Sequence, residues 1–223
     1  MSELQVISTR NQTSNIHIML CHGFGATNRD LVDLSTYLDP SGKFAWHFPQ
    51  APIQIPGYNG YAWFPRAATQ LSEALSGSYF NQLAELRETG LVEASAQLGS
   101  WIREMNLTEC DWILGGFSQG SMVALQTALQ VELKIRAVLI LSGSLINQTA
   151  SNQLTTASKI FPIFQSHGIQ DPVLPIAGAL ALKELLLKNH FLPEWHEFNG
   201  GHEIPWTVLE ALKIFITKLS ADH

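Results

Sequence analysis

Residues Gly115-Gly-Phe-Ser-Gln-Gly120 leave this chain few ways to fold. They contain Gly-x-Ser-x-Gly with Ser118 at the centre. The apolar run Cys110-Asp-Trp-Ile-Leu114 predicts a buried strand before them, and Ser121 to Leu129 predicts a helix after them. A strand that passes into a helix through a glycine-flanked serine makes a very tight turn. A Cβ at either glycine would strike the neighbouring backbone. The serine itself is forced into a strained conformation with its Oγ exposed. The helix aims its unpaired N–H groups and the positive end of its dipole at that oxygen, which suits an anionic intermediate. The alternative is a glycine-rich turn with an idle serine, and the flanking strand and helix favour the reactive reading.

Composition narrows the class. A chain of 223 residues fits one domain or two small ones, and no linker-like stretch or internal repeat divides it, so residues 1–223 are read as one domain. Apolar residues make up 46% and charged residues 14%, which points to a globular protein with a large core. The net charge is −6 and Lys and Arg are scattered, so no basic patch invites nucleic acid. Only Cys21 and Cys110 are present, both in strand-like apolar runs, which argues for a reducing compartment over a disulfide scaffold. The first residues lack a basic, then apolar, leader, and no run reaches the length of a membrane span. The expectation is a cytoplasmic protein with no integral membrane segment, as monomer or homodimer.

Along the chain, strands alternate with helices. Leu4 to Thr9 predicts an edge strand, and Ile16 to Cys21 a stronger one. His22-Gly-Phe-Gly-Ala26 follows as a glycine-bearing loop, then a helix from about Asn28 to Leu38 with Asp30 and Asp33 in its first turns. Phe44 to Pro49 reads as a strand, Glu85 to Met105 as a helix with a possible break near Gly90, and Ile135 to Gly143 as a fully buried strand. Ile160 to Gly168 and Leu192 to Phe198 are further strands, with helices from about Ile176 to Asn189 and Thr207 to Leu219. This alternation implies an α/β fold, a mostly parallel central sheet with helices on both faces and no large cap domain. Residues 50–79 differ in kind, with prolines, glycines, Tyr58, Tyr61, Trp63 and Phe64. They read as a loop or lid over the site, with Trp63 and Phe64 facing an apolar substrate group.

A serine hydroxyl needs a base within hydrogen-bond reach, and the base needs an orienting acid. In α/β-hydrolases the order is Ser, acid, His. Past Ser118 the aspartates are Asp171 and Asp222, the latter next to the terminus, and the glutamates mostly fall on helix or strand faces. Of the histidines, His202 lies in a loop after the last strand, behind Gly200 and Gly201, whereas His167 reads as a neighbour that holds the acid loop. Ser118, Asp171 and His202 are therefore the candidate nucleophile, acid and base, all past the carboxyl ends of strands in one sheet. Backbone N–H groups of Phe24 and Gln119 are the candidate oxyanion donors. No histidine pair sits at metal spacing and no cofactor is implied.

His22-Gly-Phe-Gly, Phe48-Pro-Gln-Ala-Pro52, Trp63-Phe64, Gly116-Phe-Ser-Gln-Gly120, Ser142-Gly143, His167-Gly-x-x-Asp-Pro-Val173 and Gly201-His-Glu203 occur in this order. Together they resemble the phospholipase/carboxylesterase family, which includes acyl-protein thioesterases and small bacterial esterases. The resemblance implies a compact α/β-hydrolase with a Ser118-Asp171-His202 triad that cleaves carboxylic esters or thioesters. The substrate would be a small-molecule or lipid-like acyl compound. The chain departs from the family at Ser121, where a further glycine is common, at Pro65 after Trp63-Phe64, and at Ala26, and these positions border the acyl and leaving-group sites. A lysophospholipase, a peptidase or a non-catalytic binding protein on the same fold are the competing readings.

Overall fold

The computed structural model describes residues 4–64, 89–145 and 160–220. Seven strands form one sheet: β1 (Val6–Arg10), β2 (Ile16–Cys21), β3 (Ala45–Pro49), β6 (Asp111–Phe117), β7 (Lys134–Leu141), β8 (Ile163–Gly168) and β9 (Pro193–Phe198). Their spatial order is β1-β3-β2-β6-β7-β8-β9. Edge strand β1 runs antiparallel to β3, and every other pairing is parallel. Strands β4 (Ile53–Gln54) and β5 (Tyr61–Ala62) make a separate small hairpin.

Helices α2 (Thr89–Glu104), α3 (Gln119–Gln130) and α4 (Ile176–Lys188) cover one face, and α1 (Leu34–Leu38) and α5 (Trp206–Leu219) the other. The period-two alternation of strands decides the division. Met19, Cys21, Trp112, Leu114, Val138 and Ile140 face the first set of helices, and Ile18, Leu20, Ile113, Leu139 and Leu141 the second. Both faces are dry, which is why β2 and β8 are buried along their whole length. No inserted cap domain interrupts the described residues, and none of their helices is long and apolar enough to cross a membrane.

One expectation needs correction. The helix foreseen from Asn28 begins only at Leu34, because residues 27–33 fold as successive turns with N–H bonds three residues back. There the Thr27 hydroxyl donates to Asp30 at 2.6 Å, the local side-chain bonding that competes with a helix. Helix α2 starts at Thr89, and the possible break near Gly90 falls at the edge of the described residues, with residues 85–88 outside them. Gly99 is kept small by packing, since a Cβ there would meet the Val131 side chain at 2.8 Å. Of the foreseen lid, residues 50–64 carry the β4–β5 hairpin, and residues 65–79 lie outside the described residues.

Under α2, two buried histidines join β2 to β3. His17 Nδ1 and His47 Nε2 share one hydrogen bond at 2.8 Å. His47 Nδ1 in turn accepts the Ser8 hydroxyl at 2.9 Å. Trp101 and Trp112 pack against the His47 ring, so a proton added to this chain finds no water and disrupts a donor–acceptor order. Burial, and then the His17 neighbour, push His47 down to about 3, and burial lowers His17 as well. The unfolded chain therefore binds protons first as the pH falls. Stability from these groups is full above about pH 6.5 and is lost below it, at up to roughly 1.4 kcal/mol per pH unit for each histidine. Urea midpoints should fall steadily between about pH 6.5 and pH 4, and a His47→Gln variant should show a shallower fall.

Candidate active site

Strand β6 hands the chain to α3 at Ser118, whose backbone sits at φ 54, ψ −122. That conformation is costly for a residue with a Cβ and persists because packing overdetermines it. A Cβ on Gly120 would lie 2.1 Å from the Cys21 carbonyl oxygen, and one on Gly116 2.6 Å from the same oxygen. The first turn of α3 is thus pressed against the end of β2. The Ser118 N–H donates to the Leu141 carbonyl at 2.8 Å, which ties the turn to β7 on its other side. The Ser121 hydroxyl donates to the Ser118 carbonyl at 2.7 Å, so the residue that departs from the family pattern closes the turn it follows.

The loops after β8 and β9 bring the other two candidates to this serine. Ser118 Oγ donates to His202 Nε2 at 2.8 Å, and His202 Nδ1 donates to Asp171 Oδ2 at 2.7 Å. Asp171 Oδ1 accepts the Val173 and Leu174 N–H groups, each at 2.8 Å. Burial alone would raise the Asp171 carboxyl; the His202 bond and these two N–H groups outweigh it and hold the carboxyl below its ordinary value. The His167 Nε2–H donates to the Leu174 carbonyl at 2.7 Å and lies 3.3 Å from Asp171 Oδ2, so His167 supports the acid loop as foreseen. Burial lowers its pKa and keeps it neutral. The two loops are also joined directly: Ile169 and Gln170 donate backbone bonds to Phe198 and Gly200, and the Ser142 hydroxyl donates to the Glu203 carbonyl at 3.1 Å. Phe117 packs on the His202 ring with centroids 4.7 Å apart.

The glycine loop after β2 lies alongside. His22 Nδ1–H donates to the Gly23 carbonyl at 2.8 Å, and its Nε2 accepts the Ala51 N–H and the Gln50 amide, both at 3.1 Å. Burial keeps this imidazole neutral, and only the neutral form can accept those two bonds. Phe24 follows in that loop, and Gln119 is the first residue of α3. The sequence assigned Gln119 only a backbone role. Its side chain, fully buried, accepts the Trp63 N–H at 2.8 Å and donates to the Phe64 carbonyl at 3.1 Å. An amide side chain next to Ser118 was visible in the sequence; its partner 55 residues upstream was not.

Trp63 and Phe64 are not surface aromatics. They are 1% and 4% exposed and belong to the core under α2 and α3, whereas Tyr58 is 46% exposed. The Trp63 indole N–H donates to the His22 carbonyl at 2.8 Å. Past the first turn of α3, Met122, Leu125, Ile140, Leu145 and Leu182 line a pocket of about 350 Å³, including space open to solvent, with Ser121 and Ser144 among its walls. Among the described residues no cluster of His, Cys, Asp and Glu could hold a metal ion.

Residues 1–220 match the family model described as Phospholipase/Carboxylesterase. Acyl-protein thioesterase 1 of Eremothecium gossypii is 29% identical over 97% of this chain and 93% of its own length. The Saccharomyces cerevisiae protein of the same name is 27% identical over 95% of this chain and 96% of its own. Among solved structures, esterase PE8 superposes with a TM-score of 0.81 at 23% identity, covering 98% of this chain and all of that one. The Bacillus cereus carboxylesterase gives 0.73 at 17%, covering 97% and 94%. This chain belongs to the phospholipase/carboxylesterase family, and it is a hydrolase of the α/β-hydrolase fold.

The strain at Ser118 has a measurable consequence. A Ser118→Gly variant should unfold at higher temperature, gaining on the order of 1 kcal/mol after the added freedom of glycine in the unfolded chain is subtracted. A Gly120→Ala variant should lose several times that or fail to fold, because its Cβ meets backbone on β2.

Proposed function

We propose that Ser118 is the nucleophile, His202 the general base and acid, and Asp171 the orienting acid of an acyl-enzyme mechanism on carboxylic esters or thioesters. The observation that carries this reading is the unbroken chain of hydrogen bonds from Ser118 Oγ through both His202 nitrogens to Asp171. His202 Nε2 accepts from the hydroxyl in the resting state, which is the tautomer a base needs, and Asp171 fixes that tautomer at Nδ1. Ser118 Oγ attacks the acyl carbon as its proton passes to His202. The resulting oxyanion is held by the N–H groups of Gln119 and Phe24, with the positive end of α3 behind them. His202 gives its proton to the leaving alcohol or thiol. Water then attacks the acyl-enzyme, with His202 again as base, and releases the acid.

The apolar pocket beyond the first turn of α3 supports an acyl substrate. Its walls offer methyl and methylene groups, with a hydroxyl at Ser121 near the serine. The names of the relatives extend the reading to acyl-protein thioesters, and a lysophospholipase activity draws on the same chemistry. A reducing compartment suits two free cysteines, one buried and one half-buried, so the cytoplasm is the proposed location.

Hydrolysis of p-nitrophenyl esters should show a burst that Ser118→Ala abolishes. Asp171→Asn should lower turnover by about 10⁴ by presenting the wrong tautomer. Native protein that turns over neither an ester nor an acyl thioester at any chain length would overturn the reading in favour of a binding protein. A chain-length series should favour medium acyl groups over acetate.

A further inference from the structure

The stretch Gly60–Phe64 is tied down on both sides. The Gly25 N–H donates to the Tyr61 carbonyl at 2.9 Å and the Tyr61 N–H to the Ala26 carbonyl at 3.0 Å. Gly60 passes so close to this loop that a Cβ would lie 2.1 Å from the Gly25 carbonyl oxygen. Three residues later, the Trp63 indole holds the His22 carbonyl and the Gln119 amide holds Trp63 N–H and Phe64 C=O. One short strap therefore bonds to the backbone on either side of Phe24 and to the side chain of Gln119. These are the two residues whose N–H groups must converge on one oxygen.

We propose that the Gln119 side chain and the Trp63 indole are positioning residues that set the spacing of the two oxyanion donors. The inference rests on the acyl-enzyme reading of Ser118. The chemistry favours it over a role as substrate wall. Both side chains are buried, each of their polar atoms named above is spent on a backbone partner, and an amide that pairs with an N–H and a C=O of adjacent residues fixes direction as well as distance. An oxyanion site works only when its donors are already aimed, so an ångström of slack costs turnover without weakening binding of the ground state.

The test uses Trp63→Phe, which keeps one aromatic ring and loses the pyrrole ring with its N–H, and Gln119→Met, which keeps the length and loses both bonds. Each should lower kcat by about tenfold, with KM and the preference among acyl lengths unchanged, since loss of a donor outright costs roughly 10²–10³. Inhibition by an alkyl trifluoromethyl ketone, which forms the oxyanion on Ser118, should weaken by the same factor. The double variant should lose little more than the worse single one, because both act through one strap. If Gln119→Met does not fold, Gln119→Glu replaces it; its deficit relative to the native protein should deepen as the pH rises and the carboxyl ionises against the Phe64 carbonyl. Independent, additive losses, unchanged ketone affinity or an altered acyl-length preference would overturn the proposal. Native protein and Ser118→Ala are run alongside. No turnover by the native protein sinks the Ser118 reading, whereas full turnover by the strap variants sinks only the strap.

Discussion

The contact on which the rest depends is backbone against backbone. The first turn of α3 rests on the last carbonyls of β2, with Gly120 and Gly116 at the point of contact. Any side-chain carbon there would push helix and strand apart. The closeness forces Ser118 to φ 54, with its Oγ turned to His202. It also places the start of α3 beside the loop that leaves β2, so Ser118 and two backbone segments rich in N–H groups share one corner of the sheet. The strain at Ser118 is sustained by packing elsewhere, chiefly by parallel strands buried on both faces.

Around that corner the protein sets its charges sparingly. His22, His167, His17 and His47 are all lowered by burial and stay neutral, each serving as a directional hydrogen-bonding group. His22 couples β3 to the glycine loop, His167 steadies the acid loop, and His17 with His47 joins two strands. Asp171 is the exception, a buried carboxylate kept ionised by the His202 bond and two backbone N–H groups. Its unbalanced charge is thereby aimed at one imidazole. The 50–64 excursion belongs to the same scheme: its polar backbone is consumed by the loops it crosses, which lets Trp63 sit in the core.

Much of this was legible in the chain itself. Gly-x-Ser-x-Gly between an apolar run and a helix, an aspartate after one strand and a histidine after the next, all carry local signals. The fold class follows from strict alternation of elements, and the match to the family model agrees with it. What stayed hidden had no local signal. The 27–33 turns look helical by composition until the Thr27–Asp30 bond is known. Trp63 and Phe64 look like a lid because they sit among prolines and glycines, and only their distant partners His22 and Gln119 reveal them as core. Gln119 read as a backbone donor, since a side-chain amide says nothing about a partner 55 residues away.

The sequence by itself determined the strand-serine-helix turn, the placing of Ser118, Asp171 and His202 each after a strand, and the alternating buried strands, because each of these depends on neighbours within a few residues and on a period of two or of three to four. Only the tertiary structure decided that Ser118, His202 and Asp171 lie within hydrogen-bond reach, and that residues 60–64 bond both to the loop after β2 and to the Gln119 side chain. Those facts depend on loops from β2, β6, β8 and β9 converging at one end of one sheet. Distances of that kind come from packing across the whole chain, where strand order and loop closure, and not local preference, set the geometry.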